Sequence, residues 1–295
     1  MPGLGIIIPR DGSGPIVEDD ALLTSGSLVL IDPIHTLNPW AGGVPAHDAD
    51  IPNVASAKVA TLLGGADGTQ YPAKIKIGGD INNGTKGLLE RTTKGALHGI
   101  VSQANALTSD DGVAIGINAD IKTYLIANTA HRFYMSQWDR ITRINAGTLS
   151  STQAAEFGVM GPGTSTSMVA VVRPSTSLVG NNTAVTNIVA EPDLNVAGER
   201  FVAVGTHVDS TANSSTVHSG PFWGAYTGTY NAAVLASRNT YWPSFVFRRF
   251  YLEDLTVSGR TFAEVAAIDE AAWTAAVASG GRYGSDTFTA ASSVA

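Results

Sequence analysis

Two adjacent carboxylates, Glu253 and Asp254, are the first side chains in this sequence that could do chemistry. Paired acids can act as the acid and the base of a glycosidase, or as oxygen ligands for calcium. They end a run of strand-forming residues, however, and successive residues of a strand point to opposite faces of the sheet. One substrate therefore cannot meet both carboxylates unless a bulge intervenes. We expect a structural role, in which they bond to neighbouring backbone or pair with Arg248 or Arg260.

Histidines could serve a metal site or a catalytic triad. The chain has six of them: His35, His47, His98, His131, His207 and His218. None stands in a His-Glu-x-x-His or close His-x-His pattern, and the sequence has no Gly-x-Ser-x-Gly nucleophile elbow. A distant Ser, His and Asp could still meet in the fold, because a triad is defined by geometry. Scattered histidines are more often surface or capping residues, so we predict no catalytic residue, no metal site and no cofactor.

The polar loop formed by residues 208–226 is the best candidate for ligand binding. It places Asp209 and Asn213 in one segment with Trp223 and Tyr226. An aromatic face beside hydroxyl and amide groups suits a sugar ring, so these four residues form the candidate glycan site. The alternative, which we favour, is that Trp223 is a core or subunit-contact residue in a strand.

The composition narrows the class of protein. Only 15% of the 295 residues are charged and 44% are hydrophobic, with 32 glycines, a mixture that favours strands and turns over charged amphipathic helices. A net charge of -7 offers no overall basic field to phosphates, so we expect no nucleic-acid partner. The lack of cysteine excludes disulfides, thiolate catalysis and Cys-ligated zinc. No stretch approaches the roughly 18 apolar residues of a membrane helix, and we expect no membrane insertion.

Short strands bounded by Gly, Asn, Asp and Ser dominate the chain from about residue 54 to residue 260, as in a β-sandwich. The predicted strands, including one that precedes this region, are residues 27–32, 73–77, 113–118, 122–127, 132–138, 168–174, 201–208 and 245–252. One helix is predicted over residues 262–278. It begins at a capping box formed by Thr261 and Glu264, carries apolar residues at helical spacing, and ends before a pair of glycines.

The first 53 residues differ from the rest, because they contain seven of the 13 prolines and a single aromatic residue, Trp40. Proline fixes φ and removes a backbone donor, which favours extended and turn conformations. We predict that residues 1–53 form an extended arm that packs on its own domain or on a neighbouring subunit. Its predicted subunit contacts are Ile6, Ile7, Ile8 and Trp40. The sandwich then spans residues 54–283, followed by a loosely held tail at 284–295.

Two segments of the sequence resemble known proteins. Residues 249–265 read Arg-Phe-Tyr-Leu-Glu-Asp-Leu-Thr-Val-Ser-Gly-Arg-Thr-Phe-Ala-Glu-Val and combine a last strand, a short turn and a capped helix. This resembles the closing segment of laminin G-like, concanavalin-type domains, in the version found in phage virion proteins. Residues 30–46 read Leu-Ile-Asp-Pro-Ile-His-Thr-Leu-Asn-Pro-Trp-Ala-Gly-Gly-Val-Pro-Ala and resemble the opening of such phage proteins.

The resemblance implies an all-β, concanavalin/laminin G-like jelly-roll sandwich with one C-terminal helix and an extended N-terminal arm. It also implies a structural protein of a bacteriophage virion, and the lack of catalytic motifs in the sequence leads us to expect that this protein is non-enzymatic. Such a protein assembles in the host cytoplasm with copies of itself, for instance as a trimer, and with other virion proteins. We place it in the tail or baseplate, with capsid decoration as the alternative. A carbohydrate-binding or adhesin module, with a host surface glycan as partner, is a further alternative, because fold alone does not settle activity.

Overall fold

The chain is mostly β-structure, arranged as two antiparallel sheets with few helices. The structure is a computed structural model that describes residues 20–108, 111–128, 130–144, 157–160, 168–172, 185–191, 196–207, 218–224 and 242–295. The described strands are β1 (Ser27–Ile31), β2 (Asp50–Ile51), β3 (Ala73–Gly78), β4 (Gly87–Arg91), β5 (Leu97–Val101), β6 (Gly112–Gly116), β7 (Arg132–Arg143), β8 (Phe157–Met160), β9 (Met168–Val172), β10 (Val185–Glu191), β11 (Gly198–His207), β12 (His218–Gly224) and β13 (Ser244–Asp254). The described helices are α1 (Ser56–Leu63), α2 (Ala119–Ala127), α3 (Leu255–Ser258) and α4 (Phe262–Val277), and a 3-10 turn covers Ala291–Ser293.

The two sheets pack face to face. The larger sheet has the order β10-β11-β7-β13-β5-β4, with β1 added beside β13, and the smaller sheet has the order β2-β3-β6-β12-β8-β9. The ring of Trp223 on β12 stacks on Phe245 of β13, with ring centroids 4.4 Å apart. We call the face of the larger sheet that meets the smaller sheet its inner face, and the opposite face its outer face.

Close packing at the inner face depends on one glycine. Gly99 on β5 lies directly against the Trp223 indole, and a Cβ at this position would come within 2.5 Å of the ring. Phe247 packs edge-on against the same indole, with centroids 6.4 Å apart. Only a glycine lets the strand come this close to a large aromatic side chain, so this position ties the two sheets together.

Strand β13 runs through the middle of the larger sheet. Along one edge it pairs with β7 from Ser244 to Asp254, with two irregularities in register. Its other edge pairs with β5 through residues 245–247 and then with β1, where Ile31 lies opposite Phe250. Strand β13 thus pairs with strands from the N-terminal part and from the middle of the chain and is central to the larger sheet.

The described part of the predicted N-terminal arm is integral to the sandwich. Strand β1, which the sequence pattern predicted, is fully buried and belongs to the larger sheet. The side chain of Asn53 closes its free edge, because Oδ1 accepts from the N–H of Leu30 at 2.9 Å and Nδ2 donates to the carbonyl of Leu28 at 2.9 Å. Of the two predicted resting places, residues 20–53 therefore lie on their own domain, and the boundary near residue 53 does not separate them from it.

The outer face of the larger sheet is covered by helix α4 and by residues from both ends of the described chain. Trp273 of α4 stacks on Phe201 of β11, with centroids 6.0 Å apart. Residues 284–295, which we call the C-terminal strap, cross the same sheet. The strap is bonded along its length, for example from Thr289 N to Glu90 Oε1 at 2.7 Å and from Gln103 N to the Ala295 carbonyl at 2.9 Å. The prediction of a loosely held tail is therefore wrong.

One predicted strand is a helix. Residues 122–127 lie in α2. The N-cap of this helix is Asn118, whose side chain accepts the N–H of Asp120 at 2.8 Å. Asparagine favours this position at the start of a helix. Helix α1 was not predicted either. It ends at Gly64, whose φ of 71° provides a left-handed C-cap.

Among the described helices, none is long and apolar enough to cross a bilayer.

Candidate functional site

Four donors surround the carboxylate of Asp254 at the end of β13. Its Oδ1 accepts the backbone N–H groups of Thr256 and Val257 at 2.9 and 3.1 Å, which caps α3. Its Oδ2 accepts the hydroxyl of Tyr124 at 2.7 Å and lies 2.6 Å from Nδ1 of His131. A carboxylate offers about four acceptor positions, and all are used here. Asp254 therefore joins α2, α3 and the start of β7.

The His131–Asp254 pair resembles two members of a catalytic triad. Asp254 is fully buried, while the side chain of His131 is 28% exposed. A triad requires a nucleophilic hydroxyl at the second ring nitrogen of the histidine. Within the described ranges, no hydroxyl contacts Nε2 of His131. In this part of the chain the pair lacks a nucleophile, and its contacts are those that join α2, α3 and the start of β7.

The neighbouring carboxylate, Glu253, is held by an arginine and a tyrosine. Its Oε2 lies 2.5 Å from Nη2 of Arg260 and accepts the hydroxyl of Tyr251 at 2.9 Å. Burial, reinforced by the charge of Glu253, raises the pKa of Tyr251 well above its ordinary range. The pairing with Arg260 expected from the sequence is present, whereas Arg248 pairs with Glu199 instead. The two adjacent carboxylates, Glu253 and Asp254, thus have different partners and do not face a common site.

A third carboxylate, Asp269 of α4, is fully buried on the outer face of the larger sheet. It accepts hydrogen bonds from three residues of β7: the Tyr134 hydroxyl at 2.8 Å, Nε1 of Trp138 at 2.8 Å, and the Ser136 hydroxyl. Burial raises the pKa of Asp269, although the charge of Arg249 and these hydrogen bonds oppose the rise. The three donors alternate along one strand and so share a face, which lets a single acid fix the helix to the sheet.

Arg249 forms the centre of an ionic cluster beside Asp269. Its guanidinium is fully buried, bonds to Asp20 and to Asp32, and stacks over the Trp138 indole 4.3 Å from the ring centroid. Arg282 adds a second guanidinium, with Nη2 2.5 Å from the Asp32 carboxylate. Burial opposes ionisation of Asp20, yet hydrogen bonding by His35 and the charge of Arg249 hold its pKa well below its ordinary range. The cluster pairs the N-terminal residues with the C-terminal ones.

An open cavity of about 380 Å³ adjoins this cluster. Its walls are Asp20, Ala21, Trp138, Arg249, Ala272, Ala275, Ala276 and Arg282. The two arginines are already matched by Asp20 and Asp32, so the cavity presents no excess of either charge.

The predicted glycan site is corrected at Trp223. The side chain is 1% exposed, and its Nε1 donates to the carbonyl of Phe245 at 3.2 Å inside the core. Its ring face is covered by Phe245 and cannot receive a sugar, in agreement with the alternative that placed it in a strand. The other three predicted residues, Asp209, Asn213 and Tyr226, lie outside the described residues.

Trp40 is likewise part of the chain's own packing. It is 6% exposed, stacks on Phe247 with centroids 6.3 Å apart, and is covered by the guanidinium of Arg91 at 5.4 Å. The prediction of Trp40 as a subunit contact is wrong, because the indole is buried by residues of its own chain. The other predicted contacts, Ile6, Ile7 and Ile8, fall outside the described part of the chain.

The histidines are separated in the fold. His98 is buried between Glu90 and Thr142, with ring nitrogens 2.8 and 2.9 Å from their oxygens. His35 lies 3.1 Å from the Asp20 carboxylate, and the exposed His47 accepts the N–H of Ile77 at 3.0 Å. The side chains of His207 and His218 are outside the description. In the ranges that are described, no three His, Asp or Glu side chains are grouped as metal ligands would be.

Sequence reasoning missed Asp269, although a signal for it was present. Asp269 follows Val265 by four residues and precedes Ala276 by seven, so it lies on the buried stripe of α4. A carboxylate on an apolar stripe needs a buried partner. Trp138 on a predicted strand was the clearest candidate, since an indole N–H needs an acceptor when it is buried.

Comparison with known proteins gives no relative for this chain: no family model, no curated protein and no solved structure matches it.

Proposed function

We propose that this chain is a non-enzymatic structural protein of a bacteriophage virion, located in the tail or baseplate. One observation carries the proposal. The two segments that resemble phage virion proteins, residues 30–46 and 249–265, are far apart in sequence but adjacent in the fold. Leu30 lies opposite Tyr251, and Ile31 lies opposite Phe250, in the antiparallel pairing of β1 with β13.

Side chains strengthen this junction. Nε of Arg249 lies 3.3 Å from the Asp32 carboxylate, which links the two segments through a buried ion pair. Arg260 donates to the carbonyl of Leu22 at 2.7 Å and binds Glu253. Residues 30–46 and 249–265 contact each other, so each segment depends on the other for its packing. Their joint resemblance to phage virion proteins therefore supports the proposal better than two unconnected matches would.

A concanavalin/laminin G-like jelly roll is the proposed fold. Its support is the path of the chain between the two sheets. The described strands change sheet after β1, β3, β5, β6, β7 and β9, and again on each side of β12. Repeated crossing between two packed antiparallel sheets is typical of jelly rolls. A further support is helix α4, which follows directly on β13 and α3, since the resemblance implies a helix after the last strand.

A structural role fits the way in which the acids are used. Glu253 and Asp254, the acids that could have served a glycosidase, are bonded to Arg260, Tyr251, Tyr124 and His131. A catalytic acid or base must reach a substrate, and these groups instead hold helices and strand ends together. Assembly then proceeds through contacts with further copies of the chain and with other virion proteins, with symmetric self-association as the default.

Electron microscopy of phage particles tests this proposal directly. Immunogold labelling of purified virions should mark the tail, and particles made without the protein should show absent or defective tails. Normal tails on capsids that lose a surface feature would move the protein to capsid decoration. Virions that carry no label and assemble normally without the protein would contradict a virion role.

A further inference from the structure

A second open cavity, of about 340 Å³, lies between the end of α1 and one face of α2. Its walls are Leu63, Tyr71, Asp120, Thr123, Tyr124 and Ala127. The four wall residues of α2 are spaced at i, i+3, i+4 and i+7, which places them on one face of the helix. The cavity thus combines a helix face with two aromatic side chains.

The polar groups that α2 contributes to this cavity can only accept hydrogen bonds. The hydroxyl proton of Tyr124 is committed to Asp254 at 2.7 Å, and that of Thr123 to the Ala119 carbonyl at 3.1 Å. Each oxygen keeps its lone pairs for a ligand. The carboxylate of Asp120 is an acceptor as well. A ligand that suits this face must therefore bring donors.

Asp120 is the only charged side chain among the wall residues of this cavity. Asp120 is exposed, and within the described structure its side chain has no ion-pair partner. No lysine or arginine is among the wall residues, and Lys122 lies two residues from Asp120, off this face of the helix. An unpaired carboxylate beside tyrosine rings favours a cation, both by direct attraction and through the aromatic quadrupoles.

Both tyrosines are held in place before any ligand arrives. Asp254 fixes the Tyr124 hydroxyl and is itself held by three other donors. The Tyr71 hydroxyl lies against Gly65, where a Cβ would come within 2.4 Å of it. A wall that needs no rearrangement loses less conformational entropy on binding.

We propose that this cavity binds an alkylammonium group. An ammonium has three N–H donors and no acceptor, which complements the acceptor-only face of α2. Its charge matches Asp120, and the Tyr71 and Tyr124 side chains in the wall offer cation–π contact. The group can belong to a free diamine or to a lysine side chain on a partner protein. This site is independent of the proposed virion role.

NMR titration of the whole chain with putrescine tests the proposal, with 1,4-butanediol as the uncharged control of the same length. Putrescine should shift the amide signals of residues 119–127 in a saturable manner, and the diol should not. A second titration uses N-acetyl-lysine methylamide, whose only charge is the side-chain ammonium. Equal binding of this amide indicates a partner lysine, and preference for putrescine indicates a free diamine.

Substitution of Asp120 provides the decisive comparison. Asp120→Asn should weaken putrescine binding about fivefold, as expected for an exposed ion pair of about 1 kcal/mol. Glu270→Gln, at an exposed position of α4, removes the same charge and should leave the affinity unchanged. Equal weakening by both variants, equal binding of the diol, or shifts that avoid α2 would each overturn the proposal.

Discussion

The Trp223 contact on the inner face of the larger sheet and the Arg249 cluster on its outer face are stabilised by different interactions. The inner face is aromatic and apolar where Phe245 and Phe247 meet Trp223. The outer face buries charges, with Arg249 between Asp20 and Asp32 and with Asp269 against β7. Shape complementarity decides the first contact, whereas the second requires particular charged partners to meet.

The difference shows which parts of the chain each face organises. Aromatic contacts on the inner face join the two sheets. The ionic contacts on the outer face join the two ends of the described chain, because Asp20 and Asp32 lie on either side of β1 and Asp269 and Arg282 come after β13. Buried ions add little net stability in general but penalise every wrong partner. The outer face is thus suited to fixing one arrangement of the ends.

Removal of the central indole should have the largest effect. Trp223→Ala leaves a cavity at the junction of the sheets and should lower the free energy of unfolding by about 4 kcal/mol. Denaturant unfolding followed by circular dichroism measures this loss. Leu37→Ala, at a side chain that is 41% exposed, is the control and should change stability by less than about 0.5 kcal/mol. A small loss for Trp223→Ala would mean that the sheets do not rely on this contact.

Breaking the ionic face should cost somewhat less, and the loss should be partly recoverable. Arg249→Met leaves the Asp20 carboxylate without its arginine partner and Asp32 with Arg282 as its remaining arginine, and should lower the free energy of unfolding by about 3 kcal/mol. Adding Asp20→Asn removes one of those carboxylates, so the double variant should be more stable than Arg249→Met alone. Strictly additive losses in the same denaturant assay would show that the two side chains do not interact.

Because of His98, which is buried under the C-terminal strap, the stability of the protein should decrease as the pH decreases. Burial lowers the pKa of His98 below 6.5, against the opposing effect of Glu90. Below its unfolded pKa the unfolded chain takes up a proton that the folded chain resists. The contribution of His98 is therefore present at neutral pH and is lost as the pH falls. The slope is at most about 1.4 kcal/mol per pH unit.

His98→Gln isolates this contribution. The stability difference between the two proteins, measured by denaturant unfolding at several values from about pH 7 to about pH 5, should change with pH in the direction just given. Glu90 acts with the same sign at lower pH, because hydrogen bonds from Thr289 and His98 outweigh its burial and lower its pKa. If the unfolding free energies of the two proteins change with pH in parallel, His98 does not contribute to the pH dependence of stability.

The smallest expected effect concerns the helix that covers the ionic face. Thr261 caps α4 by accepting the N–H of Glu264 at 3.3 Å, and the Glu264 carboxylate accepts the N–H of Thr261 at 2.7 Å. Thr261→Ala should lower the free energy of unfolding by about 1 kcal/mol. Thr61→Ala, at an exposed site inside α1, is the matched threonine control. Thermal unfolding of the two variants side by side measures the difference.

Sequence patterns predicted elements where a local rule was decisive. Alternation predicted β3, a β-branched and aromatic run predicted β13, and the Thr261–Glu264 capping box is present at the start of α4. The strand prediction for residues 122–127 was wrong, because an apolar segment of only six residues fits a strand and a helix equally well. Only the side chain of Asn118, which caps α2, distinguished the two.

Contacts distant in sequence were beyond such rules. Arg260 could be paired with Glu253 because only seven residues separate them. Nothing local could place Asp20 beside Arg249, or Phe245 over Trp223, because these contacts follow from the order of strands in the sheets. An aromatic residue in a polar segment is equally consistent with a ligand face and with a core, and burial settled the question for Trp223.

The pairing of β1 with β13 also has a consequence for biosynthesis. Tyr251 bonds to the Leu22 carbonyl across 229 residues of chain. At roughly 5 to 20 residues per second, a ribosome needs about 10 to 45 s to make that stretch. During this interval the apolar strand β1 has been synthesised, but its partner strand β13 has not. The growing chain therefore depends on its own early folding, or on chaperones, to keep this strand from pairing with other nascent chains.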